Sequence, residues 1–188
     1  MFLLTKPSEQ QIQRFLETER TLDFSYKEVG ATHPNSFSPP KNFTHDHNRI
    51  LIGEGQATFE KAKAAMKNWK AYALGWTNIH PNVQPEKNKT FCVEVNHFGF
   101  YSLSSLRIVY VVNEPKRFAY AIGTLPGHVE KGEERFMLEW LPDDSVYYDL
   151  FAFSKPQHPL VYLGYPAARH LQNRFARGSK IAMQDAIR

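Results

Sequence analysis

The stretch from Gly123 to Phe136 concentrates the side chains best suited to proton chemistry, with His128, Glu130, Glu133 and Glu134 inside it. If Phe136, Leu138 and Trp140 face a core, the two-residue period of a strand turns Glu134 inward and sends Glu133 and Arg135 outward. An inward carboxylate is costly unless paired or protonated. Glu134 is therefore either tied to an Arg or Tyr, or free to act as a general acid or base or as a polar ligand anchor. Two phenols share the inward parity: Tyr120 sides with Phe118 and Ile122, and Tyr148 with Val146 and Leu150. Each brings apolar area and one hydroxyl that needs a partner. Tyr120, Glu134 and Tyr148 are the expected ligand contacts.

Among the eight histidines, His97 follows the inward parity of Phe91, Val93 and Val95, His128 sits just beyond a turn, and His158 starts the last helix. Glu134 with His97 or His128 would make the acid and base pair of a hydrolase, cyclase or isomerase. His45-Asp46-His47 is the tightest cluster, but alternate residues in an irregular segment without a further anchored ligand argue against a metal. Gly53-Glu-Gly55 precedes a helix yet lacks the third glycine and the Lys-Ser/Thr ending of a phosphate loop, and no cofactor is implied. No Gly-x-Ser-x-Gly elbow is present, and Cys92 has outward parity beside Glu94, so no nucleophile stands out. Tyr147 and Asp149 fall on the face opposite Tyr148 and are expected exposed or at the back of the sheet.

The elements that position these residues follow from hydrophobic period. Ser8 and Gln11 at capping-box spacing open an amphipathic helix over 8–20. Residues 26–48, with Gly30, Pro34, Pro39 and Pro40, show no sustained period and read as an irregular arm. Arg49 to Gly53 reads as a strand, and Phe59, Ala62, Met66 and Trp69 mark the stripe of a helix from Gln56 to Ala71. Strand-like runs follow at about 72–79, 91–97, 104–113, 117–124, 133–141 and 145–153, too closely spaced for helical crossovers. From His158 to Met183 the period is helical again through Leu160, Leu163, Ala167, Leu171 and Phe175, with Pro166 expected to begin or kink the helix. The small residues Gly164, Ala167, Ala168 and Gly178 on that stripe allow either close packing or a cavity. The expected fold is α+β: a curved antiparallel sheet of six to seven strands wrapped around a long C-terminal helix.

In 188 residues with 42% hydrophobic, 22% charged and 14% aromatic content, disordered, collagen-like and disulfide-scaffold classes are excluded. The chain is read as a single domain over 1–188, with a helix and arm over 1–48 and a core over 49–188. One cysteine, no signal-peptide pattern and no long apolar run point to a cytoplasmic protein without a membrane span. Of the net charge of +4, residues 154–188 supply +5, through six Lys or Arg against Asp185. Arg169, Arg174, Arg177 and Lys180 could thus address RNA or a membrane surface, but the stretch has no aromatic free for base stacking, so no specific nucleic-acid partner is expected.

Gly123-Thr-Leu-Pro-Gly-His-Val-Glu-Lys-Gly-Glu-Glu-Arg-Phe136, together with Ser145 to Pro156, Glu28-Val-Gly-Ala-Thr32, Arg107 to Val112 and Leu163-Gly-Tyr-Pro166, closely resembles the family called domain of unknown function 1990, or uncharacterised protein family 0548. That resemblance brings no catalytic residues. From Arg49 onward the order of elements also resembles the helix-grip fold of the Bet v 1 and START-like superfamily, whose members often hold lipids, sterols or polyketides in a cavity. It implies a small apolar or amphipathic ligand between sheet and C-terminal helix, with the N-terminal helix and arm as additions to the plan.

Overall fold

The computed structural model describes residues 1–97, 99–157 and 164–188. In chain order these form β1 (Phe2–Leu3), α1 (Glu9–Glu19), β2 (Thr44–Glu54), α2 (Gly55–Lys67), a 3-10 turn (Lys70–Tyr72), β3 (Thr77–His80), β4 (Thr90–His97), β5 (Phe100–Glu114), β6 (Arg117–Thr124), β7 (Glu130–Trp140), β8 (Ser145–Pro156) and α3 (Tyr165–Asp185). The strands make one antiparallel sheet in the order β2-β8-β7-β6-β5-β4-β3, with β1 on an open stretch of β5. The fold is the α+β, curved-sheet plan expected.

Local chemistry explains the helix limits. Ser8 and Gln11 cap α1 reciprocally. Phe59, Ala62 and Met66 bury the stripe of α2, but the chain leaves the helix at Asn68 rather than continuing to Ala71. Trp69 adopts a left-handed φ of 55° and donates its indole N–H to the Val83 carbonyl at 2.6 Å. The 3-10 turn that follows aims Tyr72 at the core. Pro166 falls in the first turn of α3, where its missing N–H is no loss. The expected earlier start of this helix, with His158, Leu160 and Leu163, lies outside the described residues. Among the described residues no helix is long and apolar enough to cross a membrane.

The concave face of the sheet carries Phe91, Ile108, Phe118, Tyr120, Phe136, Leu138 and Tyr148 against Phe59, Met66, Tyr72 and Met183. The convex face is covered as well. Ile12 and Leu16 of α1 pack on Cys92 and Leu103, and Tyr26 and Ala31 of the arm pack on Phe151 and Phe153. Of the two placements expected for Asp149, exposed or at the back of the sheet, the structure gives the second, yet Asp149 is only 2% exposed and accepts from Arg135 at 2.7 Å, because the arm closes over that face. One expectation is corrected. The segment 44–48 is not part of an irregular arm: it extends β2, pairing Thr44 with Ser154 and His47 with Phe151. Its Asn, Asp and His content is poor in strand propensity, and the apolar partner strand supplies the burial that the segment lacks.

Candidate ligand cavity

Sheet and α3 meet along only half of the helix. In its second half Ser179 and Met183 are buried, and the Ser179 hydroxyl is hydrogen-bonded to Tyr148 Oη at 2.7 Å. Beneath the first half lies a cavity of about 650 Å³. Its cause is residue size: Gly164 at the helix N-cap and Ala167, Ala168 and Ala176 of the helix lie across from Ser102, Ser104, Thr124 and Ala152 of the strands, side chains too small to fill the space between them. Val93, Val95, Leu106, Ile122, Leu171 and Phe175 make the rest of the wall largely apolar.

Glu134 stands on this wall without a hydrogen bond or ion pair from any described residue. Burial, helped by the charges of Asp46 and Glu130, pushes its carboxyl up to about 8, so it is a neutral acid at pH 7. Tyr72 also lines the cavity, 6% exposed, and no described residue bonds its hydroxyl. Burial raises that phenol too. Arg169 of α3 clamps Asp46 of β2 through two contacts of 2.6 Å and donates to Gln172 Oε1 at 2.6 Å. Gln172 in turn donates to both Glu130 oxygens at 2.8 and 2.7 Å. This relay pins the helix over the cavity. His128 holds the Glu130 backbone through Nδ1, and burial pushes it down to about 4, leaving it neutral.

Glu134, His97 and His128 all lie on the wall. Tyr120 and Tyr148 do not. They share the concave face with Glu134, but the ladder rows Tyr120–Phe136–Leu150 and Phe118–Leu138–Tyr148 lie nearer α2, below the row of Ile122, Glu134 and Ala152. Tyr120 is enclosed by Trp69 and Phe136 at 5.3 and 5.2 Å between ring centroids, and its hydroxyl has no partner. The carboxylate and imidazole pairing is not formed. Neither histidine hydrogen-bonds Glu134; His97 Nε2 contacts Ser102 Oγ at 2.8 Å. The row of His97 meets β5 at Phe100 and that of Glu134 at Ile108, about 26 Å of strand apart.

Strand alternation disperses the His45-Asp46-His47 cluster, since His47 bonds Asp149 on the convex face while Asp46 turns to Arg169. Among the described residues no group of three or more His, Cys, Asp or Glu could hold a metal ion. Burial pushes the Cys92 thiol up to about 12. Three of the four cations on α3 are engaged inward: Arg169 with Asp46, Arg174 over the Trp76 ring at 4.6 Å, and Lys180 with Asn48 at 3.0 Å. Sequence reasoning missed Tyr72 and Gln172. Tyr72 lies in a run read as strand, and nothing marks a single glutamine on a helix.

The model of the family described as domain of unknown function (DUF1990) matches residues 25–181. The chain belongs to that family. A relative named UPF0548 protein in Dictyostelium discoideum is 35% identical over 100% of this chain and 96% of its own length. A UPF0548 protein of Arabidopsis thaliana is 33% identical over 95% and 93%. Among solved structures, Ara h 8.0201 superposes with a TM-score of 0.52 at 11% identity, covering 78% of this chain and 98% of its own. A START superfamily protein from Mycobacterium smegmatis gives 0.52 at 13% identity, covering 76% and 96%. At such identities the likeness establishes the fold, with Bet v 1 and START-like neighbours.

Proposed function

We propose that this DUF1990 chain binds a small apolar or amphipathic molecule between the concave sheet face and the first half of α3. The observation that carries this reading is the cavity of about 650 Å³, whose apolar wall holds the Glu134 carboxyl and Tyr72 hydroxyl, both without a partner among the described residues. Small-molecule pockets span roughly 300 to 1,000 Å³ and combine apolar lining with a few placed polar groups. Glu134 is the polar anchor. Tyr120 and Tyr148 support the floor from behind. The START-like resemblance favours the same reading, and the separation of Glu134 from His97 favours binding over acid and base catalysis.

Native mass spectrometry of the freshly purified protein tests this. A bound species that dissociates on denaturation is expected, and it should be lost from A168W, in which an indole occupies the cavity. A protein that is ligand-free in every preparation, and whose melting temperature no apolar probe raises, would overturn the proposal.

A further inference from the structure

We infer that the molecule held in this cavity is a hydrophobic amine or another organic ammonium ion, seated with its positive end between Glu134 and Glu130. The inference rests on the binding reading above and concerns what that site selects.

The protein carries a net charge of +4, yet the described wall of the cavity contains Asp46, Glu130, Glu133 and Glu134 and no lysine or arginine. Two of these acids are already compensated. Asp46 is clamped by Arg169, and the Glu133 carboxylate points to the convex face, where Tyr26 Oη, Gly30 N and Thr32 N donate to it at 2.7, 2.7 and 3.0 Å. Glu130 takes hydrogen bonds from the neutral amide of Gln172 and feels the charge of Arg169, which is bonded to Asp46 instead, and Glu134 has no donor among the described residues. Both stand on the concave face of β7, two residues of the same parity, and the charge of Glu130 reaches Glu134. The free site therefore stores a proton on Glu134 where a cation would serve.

A fatty acid or phosphate headgroup would add like charge to this pair. A bare metal ion would find too few oxygen ligands among apolar walls. An ammonium on an apolar body satisfies both parts of the wall. Tyr72 supplies an independent observation: a hydroxyl on the cavity wall without a partner among the described residues, on a ring 4.9 Å from that of Phe175, where a cationic headgroup gains both a hydrogen-bond acceptor and aromatic faces.

The charge balance fixes the pH dependence. The groups whose fields reach Glu134 are Asp46 from β2 and Glu130 on its own strand; Tyr72, Tyr120 and Tyr148 face it as neutral phenols, His97 and His128 on the wall are held toward neutrality by burial, and Arg169 is committed to Asp46. Binding an ammonium exchanges the Glu134 proton for the ligand's charge. Near pH 7 about one proton is released per ligand, and affinity rises toward pH 8.

Calorimetric titration of the whole protein with 1-naphthylmethylamine, 1-naphthylmethanol and 1-naphthoic acid, in two buffers of different ionisation enthalpy, separates the possibilities. The amine is expected to bind about tenfold or more tightly than the alcohol, with proton release, and the acid least. E134Q should erase most of the amine's advantage over the alcohol, together with the proton release. Equal binding of amine and alcohol, or tighter binding of the acid, overturns the charge assignment and leaves the cavity reading intact. No binding of any of the three overturns both.

Discussion

Glu133 and Glu134 are neighbours of identical chemistry, and the pleat of β7 gives them opposite surroundings. Glu133 is saturated with donors from the arm; Glu134 faces an open cavity with no donor among the described residues. The same contrast separates two tyrosines on the concave face. Tyr148 shares its hydrogen with Ser179, whereas Tyr120 buries a hydroxyl without a partner. Tyr120→Phe should therefore raise unfolding stability by about 1 kcal/mol, and Tyr148→Phe, which strands Ser179, should lower it by about 1 kcal/mol. Urea unfolding midpoints measure both, and a loss at Tyr120 as large as at Tyr148 would mean that its hydroxyl is satisfied. The direction of each side chain was legible in the sequence because a strand has period two. The partners were not, since Tyr26 and Thr32 reach Glu133 across about a hundred residues of chain.

The segment from Gly123 to Gly132, whose acids and histidine suggest a site, works through its glycines as a docking strip for elements far away in sequence. A Cβ on Gly123 would meet the Tyr26 hydroxyl and the Phe24 ring within 3 Å, and one on Gly127 would meet Glu19 and Phe15 of α1 at 2.8 Å. Gly127 N also donates to Glu19 Oε2 at 2.9 Å. Gly123→Ala should therefore lift the arm from the convex face while leaving the sheet paired. Limited trypsin digestion would then cut at Arg20 or Lys27 many times faster than in the parent, with far-ultraviolet circular dichroism unchanged. Uniform susceptibility of the two proteins would exclude this role. Strands and helices with strong apolar period, such as Arg117–Thr124 and α2, were readable to within a few residues. The coverage of the convex face was not. Its cause lies in an arm with no period, held by aromatic edges such as Tyr26 against Phe153 at 5.6 Å. The cavity was half legible: small residues on the helix stripe were plain, but only the facing Ser102, Ser104 and Ala152 turn them into a void.

For the molecule as a whole, two buried groups set opposing slopes of stability with pH. His128 is held near 4, below its ordinary 6.5, so the unfolded chain binds more protons there and stability is lost as pH falls through that window. Glu134 is held near 8, above its ordinary 4.5, so the folded chain binds more protons and stability falls as pH rises between those values. The two slopes oppose each other up to about 6.5, and Glu134 dominates above it. E134Q should gain about 2 kcal/mol over the parent between pH 5 and pH 8.5, allowing for water in the cavity. Guanidinium unfolding across that range checks it, and parallel curves for the two proteins would show that Glu134 ionises freely. The space beneath α3 has one more consequence, in volume rather than energy. Where its apolar walls leave space that water does not occupy, that volume is eliminated when the chain unfolds, and hydrostatic pressure acts against the folded molecule. A molecule that fills the cavity removes that surplus, so the occupied protein is the less compressible one and withstands pressure that would unfold the empty one.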